Sequence, residues 1–219
     1  MKFFSFLLLI LAFNIFGADE FSCGSIECDD FIVNISNNAD LQSGLSTYMN
    51  YCYGCHSLQY SRYKRVAEDL DIPIDLYIEN LIYDGSKPGE LMKISLSKED
   101  AINWLGAYPP DLTLEARVRK PEWIYTYLRS YYSDASRPYG VNNLVYKNVS
   151  MPHVLEDLQT SLPEKEFDKV ISDLTNFLVY VSDPSARERK QMGVYVLLFL
   201  LLFTSFAFLL YREYKKELK

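Results

Sequence analysis

Residues 51–57 read YCYGCHS and place two cysteines and a histidine in one short stretch of the chain. Cys52, Cys55 and His56 form the pattern C-x-x-C-H, and a helical turn would bring both thiols to the same side. Three chemistries use paired cysteines at this spacing: covalent attachment of a c-type haem, half of a zinc site, and a redox-active dithiol. The residue after the second cysteine and the other ligands in the chain distinguish them.

The zinc and dithiol interpretations leave parts of this motif unexplained. A tetrahedral zinc site needs further Cys or His ligands, and the chain offers only Cys23, Cys28 and His153. A thioredoxin-like dithiol opens a helix within alternating strands and helices, which the sequence around the motif does not show. Haem attachment uses all three side chains, because each thiol bonds one vinyl group and the imidazole lies beneath the iron.

Apolar segments near the two ends of the chain predict export and attachment to a membrane. Residues 1–18 combine Lys2, an apolar run over 3–13 and small residues before an acidic start, which is typical of a secretory signal peptide. An uncleaved anchor is the alternative, although the run is short for a membrane span. The uncharged run 193–211 covers roughly 30 Å at about 1.5 Å per helical residue, which predicts one transmembrane helix.

These ends predict an exported domain, and haem attachment to C-x-x-C-H takes place outside the cytoplasm. We therefore expect a signal peptide (1–18), a periplasmic haem domain (19–186), a transmembrane anchor helix (187–212) and a cytoplasmic tail (213–219). The chain has 29 Asp and Glu against 22 Lys and Arg, and its formal net charge is −7. This acidic balance disfavours nucleic acid binding and suits a basic partner.

Helical periodicity predicts a mainly α domain. Residues 41–52 place apolar side chains at helical spacing and would deliver the C-x-x-C-H turn. A longer helix is predicted from Ser161, as its N-cap, until Asp183 and Pro184 break the chain. Its apolar face carries Phe167, Val170, Ile171, Leu174, Phe177, Leu178 and Val181. We expect these two helices to pack against each other.

The middle of the chain is less regular. A helix is predicted over 122–131, and the segments 84–90 and 136–150 are rich in Gly, Pro, Asn and Ser and predict loops. The inward side chains of the helix are expected to be Trp123, Tyr127 and Leu128.

An electron-transferring c-type haem needs a sixth iron ligand. The candidates in the body of the chain are Met49, Met92, Met151, Met192 and His153. Met49 lies too close to the motif to reach the opposite face of the ring, Met192 is at the membrane edge, and Met92 fits a packed position. Pro152 restricts the backbone beside Met151 and favours it, but the spacing does not exclude His153.

The haem propionates also need positive partners. Arg117 and Arg119 follow the rigid pair Pro109 and Pro110, and Arg is a common partner for a buried carboxylate. A surface role for either arginine is equally compatible with the sequence.

Several runs closely resemble the cytochrome c1 family in its proteobacterial form. They are YMNYCYGCHSLQYSRYKRVAEDL, PPDLTLEARVRKPEWIYTYLRSYY, SRPYGVNN, VSMPHVL and the RKQMG that leads into the anchor, and they cover most of residues 41–211 in family order. The resemblance implies a cytochrome c-type haem domain with long loop insertions, one C-terminal transmembrane helix and one covalently attached haem c.

The resemblance also implies individual roles. The residues that it assigns to the haem are Cys52, Cys55, His56, Met151, Pro110, Arg119 and Tyr125. His56 and Met151 are then the axial ligands, while Arg119 and Tyr125 contact a propionate and His153 lies beside the pocket. The family often has a Trp where this chain has Glu156, which affects local packing but no ligand.

The function implied is that of an electron-transfer subunit of the cytochrome bc1 complex in the inner membrane. It would lie beside cytochrome b, accept electrons from a Rieske iron–sulfur protein and pass them to cytochrome c, with no substrate-bond chemistry of its own. A free-standing membrane-anchored cytochrome c shuttle is an alternative, although the long stretch between His56 and Met151 argues for extra docking surface. A haem enzyme such as a peroxidase is a further alternative, and it would need an open coordination site.

The N-terminal sequence CGSIEC has no recognised counterpart in that family. In an oxidising compartment, Cys23 and Cys28 are expected to form a disulfide.

Overall fold

The computed structural model describes residues 22–217 and confirms a mainly α fold. The predicted signal peptide lies outside the described residues. The helices are α1 (Asn38–Thr47), α2 (Tyr63–Asp69), α3 (Ile74–Leu81), α4 (Lys98–Leu105), α5 (Glu115–Val118), α6 (Pro121–Arg129), α7 (Glu156–Ser161), α8 (Glu164–Ser182) and α9 (Ala186–Glu217). Two short antiparallel pairs accompany them, β1 (Leu58–Arg62) with β2 (Leu91–Met92) and β3 (Tyr131–Ser133) with β4 (Val141–Asn143).

Helices α1 and α8 pack against each other at the centre of the core, as the sequence predicts. The closest approach is at Gly44, where an added Cβ would lie 2.1 Å from the carbonyl oxygen of Asp173. Only glycine permits two helix backbones to come this close. The predicted apolar face of α8 is buried along its length, apart from the half-buried Val170.

The predicted start of α8 is wrong. Ser161 is the last residue of α7, and α8 begins at Glu164 with Pro163 in the N-cap position. The proline explains this difference, because the residue before a proline is disfavoured in the α conformation, and Leu162 is extended. The helix ends at Ser182, immediately before Asp183, as predicted.

Helix α1 ends in a π-helical turn, Tyr48–Cys52, which leads into the C-x-x-C-H motif. The widened turn lets the N–H of Tyr53 donate to the carbonyl of Tyr48 at 2.9 Å. The Tyr48 ring is buried in the core, and its hydroxyl donates to the carbonyl of His56 at 2.6 Å. A buried helix and a buried tyrosine therefore fix the motif at both ends.

Helix α6 forms where the sequence predicts a helix, but its buried face differs from the expected one. Ile124, Thr126 and Leu128 are its buried residues. Trp123 and Tyr127 are half-buried, and their rings stack with centroids 4.9 Å apart and planes 9° apart. They line a side of the domain rather than filling its centre.

No residue of the C-terminal helix α9 is buried along its described length, and all of its residues except the half-buried Ala186 and Gly193 are exposed. Between residues 22 and 217 it is the one helix that is long and apolar enough to cross a membrane. This confirms the predicted transmembrane helix and fits a single-pass anchor.

Candidate haem site

The C-x-x-C-H residues form a tight turn with two free thiols. The N–H groups of Cys55 and His56 both donate to the carbonyl of Cys52, at 3.0 and 2.9 Å. Cys52 is buried and Cys55 is exposed, and neither is in a disulfide. The turn thus offers two thiols and an imidazole within residues 52–56, with one thiol seated in the core.

The same turn differs from a redox dithiol and from a zinc half-site. Burial, together with the adjacent Cys55, raises the pKa of the Cys52 thiol to about 12, whereas a redox-active C-x-x-C pair depends on a lowered thiol pKa. Cys23 and Cys28 are bonded to each other, which confirms the expected disulfide. They are therefore not available to complete a tetrahedral zinc site.

The His56 ring is oriented by a backbone carbonyl. Its Nδ1 lies 2.7 Å from the carbonyl oxygen of Pro110, and because that oxygen only accepts, Nδ1 carries the proton. Among residues 22–217, Nε2 has no hydrogen-bond partner. Burial lowers the pKa of the imidazole, against the opposing effects of Pro110, Glu115 and Asp111. The ring is therefore neutral near pH 7 with Nε2 as its open donor atom, the form in which histidine binds metals.

The segment that carries Pro110 is itself held against the motif. The N–H of Leu112 donates to the carbonyl of Ser57 at 3.0 Å, and the carboxylate of Asp111 accepts the N–H of Gln59 at 2.8 Å. These bonds fix the carbonyl that orients His56. Pro110, a predicted haem-site residue, therefore contacts His56 through its backbone carbonyl.

A row of side chains leads from Arg119 to Met151. The Arg119 guanidinium lies 4.5 Å from the centre of the Trp123 ring, and Trp123 stacks on Tyr127. The Tyr127 hydroxyl then donates to Met151 Sδ at 3.5 Å. The structure thus brings two of the predicted haem residues, Arg119 and Met151, to opposite ends of one aromatic row.

Arg119 also forms an ion pair with Glu115, with Nε and Oε2 3.1 Å apart and much of its side chain exposed. A cation held by one carboxylate keeps further N–H donors for a second acidic group.

Tyr125 and His153 have different surroundings. The Tyr125 ring lies 4.9 Å from the Phe31 ring and 4.8 Å from the Arg129 guanidinium, so the structure does not bring it into the row that holds Arg119. The His153 ring stacks on Tyr131 with centroids 4.6 Å apart, and its Nε2 lies 2.5 Å from Gln159 Oε1. Iron ligation through Nε2 of His153 would break the bond to Gln159.

The other methionines are placed as the sequence suggests. Met49 and Met92 are buried in the core, and Met192 is exposed on α9.

Sequence reasoning assigned Trp123 and Tyr127 to the core and gave Tyr131 no role. The signal that could have found Trp123 and Tyr127 is their spacing of four within α6, which places both side chains on one helical face. Tyr131 lies after α6, in β3, where helical spacing does not apply. The Tyr127 and Tyr131 hydroxyls are 2.8 Å apart.

The described residues fit a covalently bound haem. They supply two free thiols, a neutral imidazole with a fixed ring, a half-buried thioether and an arginine beside aromatic rings. Imidazole and thioether together are a donor pair of electron-transferring c-type haems. The fold and the site define a c-type cytochrome domain on a membrane anchor.

Comparisons with known proteins identify the family within that class. The Cytochrome C1 family model matches residues 88–218. The chain is 42% identical over 212 residues to cytochrome c1 of Allochromatium vinosum, with 84% of this chain and 87% of the relative covered. It is 34% identical to the ammonia monooxygenase gamma subunit of Nitrosomonas europaea over the full length of both. It is 26% identical to a mitochondrial cytochrome c1 heme protein of Arabidopsis thaliana, with 75% of this chain and 62% of the relative covered.

The chain belongs to the cytochrome c1 family. It is a haem-containing electron-transfer subunit of the cytochrome bc1 complex, and it carries a covalently bound c-type haem.

Proposed function

We propose that Cys52 and Cys55 form the thioether bonds to the haem and that His56 and Met151 are the axial ligands. The observation that carries this proposal is the bond between His56 Nδ1 and the Pro110 carbonyl at 2.7 Å, because it leaves Nε2 as a fixed, unprotonated donor. When bound, the haem supplies a one-electron couple between ferric and ferrous iron.

The protein residues orient the ligands and set their donor strength. The hydrogen bond to Pro110 strengthens the donation of His56 and keeps the ring from rotating. Met151 contributes a soft, neutral thioether, which favours ferrous iron and raises the reduction potential. Arg119 keeps donors for a propionate beyond its pair with Glu115. The assignment of Tyr125 to a propionate rests on family resemblance alone.

The proposal extends to the partners and the orientation. Cytochrome b is the neighbouring subunit, a Rieske iron–sulfur protein is the electron donor, and a cytochrome c is the acceptor. The haem domain, residues 19–186, lies in the periplasm, and the tail after the anchor is cytoplasmic, in the inner membrane. Family membership, the single anchor helix and the acidic net charge of −7 support this arrangement.

Haem attachment is tested by a Cys52→Ser, Cys55→Ser double variant. Thioether bonds survive denaturation and coordination bonds do not, so the wild-type chain should stain for haem after denaturing electrophoresis and the variant should not. A variant that retained the stain would place the attachment elsewhere.

Ligation by Met151 is tested against His153. Met151→Leu should abolish the weak near-infrared band of ferric methionine ligation, lower the potential and admit carbon monoxide, because the sixth position loses its ligand. His153→Ala is the matched control and should keep the band. Absence of the band in the wild type, together with carbon monoxide binding in His153→Ala but not in Met151→Leu, would assign the sixth position to His153 and exclude Met151.

The partners are tested by purification of the full chain in mild detergent followed by identification of the associated subunits. Cytochrome b and a Rieske protein should co-purify. Recovery with the subunits of a different oxidoreductase, or of the chain alone, would overturn the proposed partners but leave the haem assignment intact.

A further inference from the structure

The sulfur of Met151 has a hydrogen-bond donor already in place. The Tyr127 hydroxyl lies 3.5 Å from Sδ, within the range for a hydrogen bond to sulfur. Tyr127 is fixed from its other side by the parallel stack with Trp123, and its backbone carbonyl accepts a hydrogen bond from the side-chain amide of Asn143 at 2.8 Å. The phenol is therefore held in position by contacts that do not involve Met151.

A second phenol, that of Tyr131, lies beside Tyr127 and can donate to its hydroxyl. The Tyr131 hydroxyl lies 2.8 Å from the Tyr127 hydroxyl and 3.5 Å from the backbone carbonyl of Met151. Each hydroxyl has one proton. When Tyr131 donates to Tyr127, the proton of Tyr127 is free to point at Sδ, because a thioether accepts and cannot donate. The contact of Tyr131 with Tyr127 is shorter than its contact with the Met151 carbonyl, and this favours a directed chain from Tyr131 to Tyr127 to Met151 Sδ.

We propose that Tyr127 is a positioning residue for the sixth ligand, and that Tyr131 supports it. The hydrogen bond occupies one lone pair of Sδ and leaves the other for the iron, and it withdraws electron density from the thioether. This inference rests on the proposed ligation by Met151. It adds that a phenol on α6, and not the methionine alone, sets the donor strength of that ligand.

The sign of the effect follows from the charge on the iron. A thioether with less electron density donates less to iron, and this loss penalises ferric iron more than ferrous iron. The hydrogen bond therefore raises the reduction potential. Its removal should lower the potential without removing the ligand, which separates this role from that of Met151 itself.

The test is a set of Tyr→Phe substitutions in the full chain, each of which removes one hydroxyl group and keeps the ring. Tyr127→Phe removes the donor to Sδ but keeps the ring that stacks on Trp123. Tyr131→Phe removes the supporting donor and its weaker contact with the Met151 carbonyl, and it keeps the Tyr127 hydroxyl. Tyr132→Phe is the matched control, because Tyr132 lies on the same strand and its hydroxyl has no hydrogen-bond partner among residues 22–217. The readouts are the midpoint potential from optical titration and the near-infrared band.

At the wild-type midpoint, Tyr127→Phe should lower the ferrous-to-ferric ratio about threefold, which corresponds to about 28 mV for one electron. Its near-infrared band should shift or weaken, Tyr131→Phe should give a smaller change in the same direction, and Tyr132→Phe should match the wild type. A Tyr127→Phe variant with the wild-type potential and band would overturn the proposal.

Failure of the ligand assignment would look different from failure of this inference. If Met151→Leu keeps the near-infrared band, Met151 is not the ligand and the proposed coordination is wrong. If Met151→Leu loses the band and Tyr127→Phe changes nothing, the ligand assignment stands and the role of Tyr127 is excluded.

Discussion

The two proposed iron ligands stand on parts of the molecule that are built differently. His56 follows a helix that is locked into the core by the crossing of α1 and α8 at Gly44. Met151 lies in the irregular segment 144–155 between β4 and α7. The region around the C-x-x-C-H motif, which we call the attachment side, is held by close helix packing. The region around Met151, which we call the ligand side, is held by polar side chains that bond to the backbone.

The amide side chains of the second region replace the regular backbone pairing of a helix. Asn143 accepts the N–H groups of Val145 and Tyr146 at 2.9 and 3.2 Å, and Asn142 accepts that of Asn148 at 2.9 Å. The Arg137 guanidinium donates to the carbonyls of Asn148 and Val149 at 2.8 and 3.1 Å. Such local bonds satisfy buried backbone groups without periodic structure. The hydrogen bonds that hold the ligand side can therefore be altered without altering the packing of the helical core.

The largest loss of stability is expected from a substitution that disrupts the helix packing on the attachment side. In Gly44→Ala the new Cβ would lie 2.1 Å from the Asp173 carbonyl oxygen and 2.7 Å from Phe177 Cβ, so the helices must separate. Overpacking of this kind costs about 3 kcal/mol of unfolding free energy, and we expect at least that loss in chemical denaturation of the detergent-solubilised chain.

Gly89→Ala is the matched control for Gly44→Ala. An added Cβ at Gly89 meets nothing within 4 Å, so its stability should stay within about 1 kcal/mol of the wild type. Equal losses in the two variants would show that the crossing of α1 and α8 does not account for the effect of Gly44→Ala.

This contrast also explains what the sequence could predict. The helices before His56 and after Met151 follow from apolar periodicity and breakers, and their packing was expected. Arg119, Met151 and the C-x-x-C-H residues came from chemistry and family resemblance. The π-helical turn, the bond from His56 to Pro110 and the row through Trp123 and Tyr127 came from neither source. They depend on hydrogen bonds and stacking that form only after the chain has folded.

An intermediate loss of stability, confined to the ligand side, is expected when the disulfide is removed. The disulfide between Cys23 and Cys28 closes a turn that rests on the loop before Met151: an added Cβ at Gly24 would lie 2.3 Å from the Val145 carbonyl oxygen, and Ser25 Oγ donates to the Leu144 carbonyl at 2.8 Å. The double variant Cys23→Ser, Cys28→Ser should lose about 2 kcal/mol. Hydrogen exchange should accelerate over 142–151, while haem staining stays at the wild-type level.

Ser25→Ala is the control for the disulfide variant, because it removes the hydrogen bond to Leu144 and leaves the covalent link. It should reproduce only a minor part of the acceleration. Faster exchange that spread to α1 and α8 in the double variant would contradict the separation between the two sides.

The smallest effect concerns Tyr53, the residue that follows Cys52 in the motif. The Tyr53 hydroxyl lies 2.8 Å from the Asp84 carboxylate, 2.5 Å from the Tyr63 hydroxyl and 3.1 Å from the Lys93 carbonyl. Burial alone would raise the pKa of Asp84, but the hydrogen bonds from Ser86 and Tyr53 outweigh it and hold that pKa below the ordinary value of 3.8. A carboxyl with a lowered pKa stabilises the fold above its unfolded pKa and loses this contribution as the pH falls through the folded pKa.

Tyr53→Phe should therefore cost about 1 kcal/mol near pH 7, a modest value because Asp84 is exposed to solvent. The difference from the wild type should shrink as the pH falls below the ordinary value of 3.8 and through the lowered pKa of Asp84, because the protonated carboxyl no longer accepts a charge-assisted bond. Tyr60→Phe, which removes an exposed hydroxyl, should follow the wild type at every pH. Denaturation at pH 7 and pH 3 measures both differences. A Tyr53→Phe penalty of equal size at the two pH values would assign the contribution to the Tyr63 and Lys93 contacts, whose partners do not titrate in this range, and would remove Asp84 from the support of the attachment turn.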